Sequence, residues 1–216
     1  MANFAKLREE MVQRQIAARG LDDPKLLAAF RAVPREQFVG AEYAAYAYQD
    51  SPLPIESGQT ISQPYIVALT IDAAEIKAGD KVLEVGAGSG YAAAVIGRIA
   101  GEVIAIERHD QLVGIARQRM ERLGYANVRV VEGDGTLGWP EEAPFDVIVA
   151  AASGSHVPQS WIDQLKPGGR IVMPIGEPQS LQYLVKVTKQ PNGSLKREEL
   201  CPVRFVPLIG AEGFPG

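Results

Sequence analysis

A glycine-rich stretch, Glu84-Val85-Gly86-Ala87-Gly88-Ser89-Gly90, has the residue types of a ligand-binding turn. The apolar residues before it predict a buried strand, and the alanine-rich residues 91–99 after it predict a helix. Glycines at alternate positions leave backbone exposed for a ligand and tolerate positive φ. We therefore expect a flat or elongated cofactor to lie against Gly86, Gly88 and Gly90.

The spacing of this turn argues against two common cofactor classes. Tyr91 stands where a dinucleotide fingerprint needs its third glycine, and the Gly-Lys-Ser or Gly-Lys-Thr ending of a phosphate loop is missing. Glu84, at the end of the strand, would repel a pyrophosphate but would suit a cationic ligand. S-adenosylmethionine, with its ammonium and sulfonium groups, is such a ligand. The alternative for Glu84 is a carboxylate that only caps the following turn.

Two further carboxylates follow the next predicted strands. Glu107 comes about one strand–helix–strand unit after the glycines, where it can accept hydrogen bonds from ribose hydroxyls. Asp134 in Gly133-Asp134-Gly135 can accept from an adenine amino group, and Gly135 lets the ring approach. The alternatives are a solvated strand end for Glu107 and a simple turn former for Asp134.

The elements that must position these residues alternate between strand and helix. Strands are predicted at 81–85, 103–107, 128–131, 146–150 and 170–174, mostly separated by helical patterns. This alternation predicts an α/β fold with a doubly wound, mostly parallel sheet. Residues 181–188 and 195–208 around Asn192-Gly193 predict an added antiparallel hairpin with a primed turn.

The segments outside this core are also predictable. An amphipathic helix over residues 3–19 ends at Gly20, and Asp22-Asp23-Pro24 opens a second helix that stops before Pro34. Residues 47–60 are expected to form an irregular binding loop. We expect one domain over residues 1–216, with a helical preface (1–46), a substrate and cofactor loop (47–64), the core (80–175) and a C-terminal hairpin and tail (180–216).

Composition limits the classes of partner. The net charge is −4 and no dense Lys/Arg block occurs, which argues against nucleic-acid binding. The single Cys201 and the isolated His109 and His156 provide no metal site and no internal disulfide, and neither histidine has a partner that would make it a general base. Without an apolar leader or membrane-length segment, we expect a cytoplasmic monomer that does not bind membranes.

The segment Gly58-Gln59-Thr60-Ile61-Ser62-Gln63-Pro64 precedes a predicted helix that runs to about Glu75. Ser62 can be the N-cap of this helix, with Pro64 in its first turn. A helix N-terminus with nearby hydroxyls is also an anion site, particularly for a carboxylate. The two interpretations are compatible.

Together these residues resemble the protein-L-isoaspartate (D-aspartate) O-methyltransferase family. The resemblance extends from the N-terminal helices to Phe205-Val206-Pro207-Leu208, and its most specific parts are Leu53-Pro54-Ile55 and residues 58–64. It implies a Rossmann-like class I methyltransferase fold that takes S-adenosyl-L-methionine and releases S-adenosyl-L-homocysteine, without a metal. It also implies methylation of the free α-carboxylate of L-isoaspartyl residues in damaged proteins and peptides, which begins repair through a succinimide.

The resemblance assigns roles to individual positions. The family's active-site serine falls on Ser62, and Thr60 is expected beside it as a second catalytic and substrate-binding hydroxyl. Ile55 and Gln59 are expected to contact the cofactor, and Val203, Phe205 and Val206 are expected to pair with an extended peptide. One departure stands out, because Glu56-Ser57 replaces the glycine that usually follows Pro-Ile. Glu56 must then face solvent, or the loop must be shifted.

Three other functions share parts of this pattern. A methyltransferase acting on a small molecule or RNA would share the glycine turn, Glu107 and Asp134, but would not need the Thr60–Ser62 segment. An NAD-dependent oxidoreductase is disfavoured by Tyr91 and Glu84. A non-catalytic nucleoside-binding module would bind the cofactor without turnover.

Overall fold

A seven-stranded sheet forms the centre of the structure, a computed structural model that describes residues 3–216. Its strands are β3 (Lys81–Val85), β4 (Glu102–Glu107), β5 (Val128–Glu132), β6 (Phe145–Ala150), β7 (Leu165–Ile175), β8 (Gln182–Lys189) and β9 (Leu195–Val203). Two short strands, β1 (Leu53–Pro54) and β2 (Thr60–Ile61), form a separate pair. The helices are α1 (Phe4–Met11), α2 (Pro24–Ala32), α3 (Pro64–Ala74), α4 (Tyr91–Gly97), α5 (Asp110–Leu123) and α6 (Gln159–Asp163).

The order of strands across the large sheet is β5-β4-β3-β6-β7-β8-β9. The pairs from β5 to β7 are parallel, whereas β7–β8 and β8–β9 are antiparallel. The chain leaves β3 towards β4 and β5 and then returns to β6 on the other side of β3. The carboxyl ends of β3 and β6 therefore flank the switch point where doubly wound sheets bind ligands.

The N-terminal helices follow local sequence signals. The Asp23 side chain accepts hydrogen bonds from the backbone N–H groups of Lys25 and Leu26, and Pro24 begins α2. The α1 helix continues through a π-helical turn at Val12–Ile16 and a 3₁₀ turn at Ala17–Arg19, and Gly20 ends it at φ 90°. The resulting layer packs on the sheet beside α3 and α4.

Side chains of the sheet alternate between two apolar layers. Val82 belongs to the larger layer with α2–α5, whereas Leu83 and Val85 belong to a smaller layer that contains Trp161. Since strand side chains alternate with a period of two, Glu84 points to the same side as Val82. A carboxylate is therefore placed within the larger apolar layer.

The α/β fold with its parallel core, C-terminal hairpin and N-terminal helices is as predicted, but three local expectations were wrong. The binding loop is not wholly irregular, because β1 and β2 pair antiparallel within it. The last strand ends at Val203, not at residue 208. The hairpin loop runs from Gln190 to Ser194 and only its glycine, Gly193, has positive φ, so it is longer than a two-residue primed turn.

Candidate functional site

The glycine turn opens onto two adjoining cavities at the switch point. Gly86 and Gly88 have φ values of 87° and 52° and line both cavities. A Cβ on Gly86 would meet Ala151, the residue that follows β6. The inner cavity is lined by Thr60, Ser62, Thr70, Glu84, Tyr91, Phe205 and neighbouring apolar residues. The strand-end cavity is lined by Gln59, Thr60, Ile106, Glu107, His109, Gly135 and residues 206–209.

Gly90 is not among the residues that line the two cavities, so its predicted contact with the cofactor stays a prediction. Its φ is 86°, and a Cβ there would stand 2.9 Å from Cε of Met120 and 3.4 Å from Cβ of Ala116. Gly90 therefore allows α4 to pack closely on α5. The prediction missed this because alternate spacing does not distinguish a residue under the ligand from one under the helix.

Glu84 is a buried carboxylate aimed into the inner cavity. The residue is 2% exposed, and its Oε2 has no hydrogen-bond partner within residues 3–216. Burial, reinforced by the nearby charge of Glu107, raises the pKa of Glu84 to about 8. A buried carboxylate with a free oxygen can receive a cationic ligand group, so the residues here fit the ammonium or sulfonium of S-adenosylmethionine.

Glu107 holds the glycine turn in place. Its Oε2 accepts a hydrogen bond from the Gly88 backbone N–H at 2.9 Å. Its Oε1 accepts from the backbone N–H groups of Arg108 at 2.8 Å and His109 at 3.0 Å. The side chain is buried and lines the strand-end cavity, so it is not the solvated strand end of the alternative interpretation. These three contacts leave about one lone-pair site of the carboxylate, on Oε2, that could accept from a ribose hydroxyl.

Asp134 forms the turn after β5 and anchors the C-terminal tail, residues 206–214. Its Oδ1 accepts from the Thr136 backbone N–H and hydroxyl, and its Oδ2 accepts from the Ala211 backbone N–H at 2.8 Å. Burial favours a higher pKa for Asp134, but the hydrogen bonds from Ala211 and Thr136 prevail and lower it. The turn-forming role is thus present, and the adenine role stays a prediction. Gly135 does line the cavity, and a Cβ there would clash with Val85 at 2.5 Å.

A surface groove continues from the inner cavity along the end of β9. It is lined by all five predicted substrate residues, Thr60, Ser62, Val203, Phe205 and Val206, together with Pro52, Gln63, Ile66, Ala151, Pro202 and Arg204. Thr60 is common to this groove and both cavities. The groove and the glycine turn therefore meet at this residue.

Ser62 is not the N-cap of α3. Pro64 occupies the first helical position, so the cap is Gln63, whose side chain makes no capping hydrogen bond. Asp50 accepts from the Tyr65 backbone N–H instead, at 3.2 Å, and from the Gln63 side chain at 2.8 Å. The Ser62 hydroxyl is thus not used to cap the helix and lines the inner cavity and the groove.

The predicted binding loop lies over the glycine turn. Cδ1 of Ile55 lies 3.4 Å from the position of a Cβ on Gly88, and the Ile55 backbone N–H donates to the Gln59 carbonyl. Glu56 takes neither predicted course, because it turns towards α5 and pairs with Arg119 at 3.8 Å. Ser57, at φ 56°, adopts the left-handed conformation that the usual glycine would favour.

Several residues of the site were not predicted. His109, for which no site role was predicted, lines the strand-end cavity, and the C-terminal tail forms a wall of the same cavity through Leu208 and Ile209. Arg35 donates to the Ser62 carbonyl from the N-terminal layer. Arg35 stands in the polar run Arg35-Glu36-Gln37 after Pro34, and nothing in this local pattern connects it to a distant loop.

Within residues 3–216, no group of three or more His, Cys, Asp or Glu side chains is arranged to hold a metal ion. Among the same residues, none of the helices has the length and apolar character needed to cross a bilayer.

Comparison with known proteins identifies the family of this chain. Residues 6–213 match the sequence model of protein-L-isoaspartate(D-aspartate) O-methyltransferase. Protein-L-isoaspartate O-methyltransferase 2 of Pelobacter propionicus is 55% identical over 207 residues, which cover 96% of this chain and 92% of that protein. A solved protein-L-isoaspartate O-methyltransferase shares 33% identity at a TM-score of 0.87, covering 95% of this chain and 67% of the other.

A Plasmodium falciparum protein of the same description, solved with S-adenosyl-L-homocysteine, has a TM-score of 0.81 at 27% identity and covers 97% of this chain and 99% of its own. These matches confirm the Rossmann-like methyltransferase fold. The chain belongs to the protein-L-isoaspartate (D-aspartate) O-methyltransferase family.

Proposed function

We propose that this chain methylates the free α-carboxylate of L-isoaspartyl residues in damaged proteins, with S-adenosyl-L-methionine as the methyl donor. The observation that carries this function is the position of Thr60, which lines the two cavities at the glycine turn and the surface groove. A peptide carboxylate in the groove and a cofactor on Gly86 and Gly88 would therefore meet beside Thr60 and Ser62.

The reaction does not require a general base. A carboxylate is ionised at neutral pH and can attack the sulfonium methyl group that the cofactor supplies. Alignment is then the main task of the protein, and a near-attack geometry can contribute on the order of 7–11 kcal/mol. Thr60 and Ser62 would orient the carboxylate through hydrogen bonds that are weak enough to leave it nucleophilic. The methyl ester then cyclises to a succinimide without the enzyme, and hydrolysis returns part of it as normal aspartate.

Cofactor binding is proposed to use the residues around the glycine turn. Glu84 would face the positive end of the cofactor, Glu107 its ribose, and Asp134 with Gly135 its adenine. Ile55 and Gln59 would cover it from the loop. The burial of Glu84 and the hydrogen bond from Gly88 to Glu107 support this orientation.

Peptide recognition is proposed to occur through the backbone near the end of β9, the edge strand of the sheet. Part of the segment is already occupied, because Gln182 bonds both backbone groups of Phe205 and Ser153 bonds the Val206 carbonyl and the Leu208 N–H. Pairing of the substrate would then use Val203 and Arg204. Recognition through backbone groups suits isoaspartyl sites that arise in many sequences.

The test uses labelled S-adenosylmethionine and two peptides that differ only in aspartate or isoaspartate. We expect base-labile methyl esters on the isoaspartyl peptide alone. Ser62→Ala should lower the rate while leaving S-adenosylhomocysteine affinity nearly intact. Ser57→Ala is the matched control, because Ser57 is exposed in the same loop and bonds Gln111. Equal labelling of both peptides, or full activity of Ser62→Ala, would contradict the proposal.

The remaining expectations concern partners and location. A monomeric state, a cytoplasmic location and the absence of nucleic-acid and membrane binding stay predictions from composition. Sedimentation of the purified chain would test the monomeric state. Size-exclusion chromatography with and without added RNA would test the absence of nucleic-acid binding.

A further inference from the structure

Arg35 is a fully buried arginine that reaches the proposed active site from the N-terminal layer. It is 0% exposed. Its Nε donates to the Ala47 carbonyl and its Nη2 donates to the Ser62 carbonyl, both at 2.8 Å. Its Nη1 is buried without a hydrogen-bond partner within the described part of the chain. The guanidinium thus contacts the backbone of the residue expected to orient the substrate.

No carboxylate pairs directly with Arg35, since Asp50 acts on its charge only from beyond ion-pair distance and itself pairs with Arg19. No Asp or Glu oxygen among residues 3–216 lies within 4.0 Å of its nitrogens. Its guanidinium instead lies 4.7 Å from the centroid of the Tyr91 ring. Burial lowers the pKa of Arg35, yet an arginine side chain starts so high that it keeps its proton. A buried cation without a direct counter-ion is costly, which calls for a function that uses the charge.

We propose that Arg35 is a positioning residue that fixes the Ser62 backbone and whose unpaired positive charge attracts the α-carboxylate of the substrate. This inference rests on the proposed function and adds a source of substrate affinity to it. The anion that would complete the charge balance is the substrate itself.

The location of Arg35 suits attraction without a direct ion pair. Arg35 does not line the inner cavity or the groove, because the Ser62 backbone lies between its guanidinium and these spaces. A direct bidentate contact would lower the nucleophilicity of the carboxylate, whereas a buried charge behind the backbone acts through the low-dielectric interior. Binding is therefore strengthened with less loss of reactivity.

The position also connects the two halves of the site. Tyr91 begins the helix after the glycine turn and packs edge-on against Phe30 and Phe38 of the N-terminal layer. Arg35 therefore contacts the cofactor side through Tyr91 and the substrate side through Ser62. Tyr91, the residue that excludes a dinucleotide fingerprint, provides the aromatic face for this cation.

The experiment compares two variants of Arg35 and two peptides. Arg35→Gln removes the charge but keeps an N–H donor, and Arg35→Lys keeps the charge. Arg98→Gln is the matched control, since Arg98 stacks on Tyr125 at 4.8 Å on the exposed side of the protein. The peptides carry the isoaspartyl residue with either its free α-carboxylate or an uncharged α-carboxamide. Dissociation constants are measured with S-adenosylhomocysteine present, and its own affinity checks that each variant is folded.

The wild type should bind the carboxylate peptide more tightly than the carboxamide. Arg35→Gln should weaken binding of the carboxylate peptide by about tenfold, the scale of one charge interaction, and change the carboxamide little. It should raise KM more than it lowers kcat. Arg35→Lys should keep most of the preference for the carboxylate, and Arg98→Gln should keep all of it.

An equal loss for both peptides in Arg35→Gln would overturn the inference, because it would show a purely structural role. So would loss of the preference in a folded Arg35→Lys, and this variant decides the matter if Arg35→Gln does not fold. Failure of the proposed function gives a different result, since the wild type would then methylate neither the isoaspartyl nor the aspartyl peptide, or both equally.

Discussion

The titration of Glu84 is the most direct prediction of the structure. Its pKa is raised to about 8, whereas an ordinary glutamate has a pKa of 4.5. The folded protein therefore holds a proton at pH values where the unfolded chain has lost it. Stability is lost as the pH rises from about 4.5 to 8, and the loss is complete above pH 8. A difference of 3.5 pKa units corresponds to about 5 kcal/mol of unfolding free energy.

Glu84→Gln removes this titration with little change of shape. We expect the free energy of unfolding of the variant, relative to the wild type, to increase by about 4 kcal/mol between pH 5 and pH 9, because part of the full difference already arises below pH 5. Urea unfolding at several pH values measures it. Glu75→Gln is a control of opposite sign, because a hydrogen bond from Lys186 lowers the pKa of Glu75. Loss of the Glu75 carboxylate should lower the free energy of unfolding as the pH rises towards neutral.

Cofactor binding should change the protonation of Glu84. At pH 7 about one tenth of Glu84 is ionised in the free protein. A cationic ligand in the inner cavity favours the ionised form, so binding should release a proton near neutral pH. Calorimetry in two buffers of different ionisation enthalpy detects the release in the wild type, and Glu84→Gln should lose it. Parallel stability profiles of the two proteins, with equal proton release, would refute the reasoning.

Three other substitutions test the remaining parts of the site. Glu107→Ala leaves the backbone N–H groups of Gly88, Arg108 and His109 without their acceptor, which costs about 1–3 kcal/mol for each group that stays buried, so thermal stability and calorimetric affinity for S-adenosylhomocysteine should both fall. Gly135→Ala places a Cβ 2.5 Å from Val85 and should destabilise the fold by about 1–3 kcal/mol in urea, whereas Gly114→Ala, in open space, should stabilise it slightly. Arg204→Glu reverses the charged residue of the surface groove and should raise KM most for peptides with acidic neighbours, by an amount within about 1 kcal/mol. Unchanged affinity, unchanged stability and a KM independent of peptide charge, respectively, would contradict these expectations.

The sequence predicts the parallel core well because its strands are continuous apolar runs. The predicted strand at 81–85 coincides with β3, and that at 103–107 differs from β4 by one residue. The binding loop was harder, since β1 and β2 contain two residues each and are too short for a periodic pattern. The cap of α3 is Gln63 and not the predicted Ser62, because Pro64, with its fixed φ, takes the first helical position.

Side-chain partners of the site could not be read from local pattern. Whether Asp134 only forms a turn or is also available to a ligand depends on which other segment contacts it. Ala211, which donates to its carboxylate, is 77 positions away along the chain. Arg35 and Ser62 are 27 positions apart and meet only through tertiary packing. The burial of Glu84, which decides its protonation, likewise depends on the layer that covers β3.

The C-terminal tail has a consequence for hydrogen exchange. Hydrogen bonds from Ala211 to Asp134 and from Glu212 to the Thr136 hydroxyl fasten its far end to the turn after β5, where the Glu212 carboxylate also accepts from Ser160. Its near end is held by Ser153 and by the buried side chain of Leu208. Regions held by few buried contacts open without global unfolding. The amides of Ala211 and Glu212 should therefore exchange faster than those of β3, and slow down when S-adenosylhomocysteine binds against the wall that the tail provides.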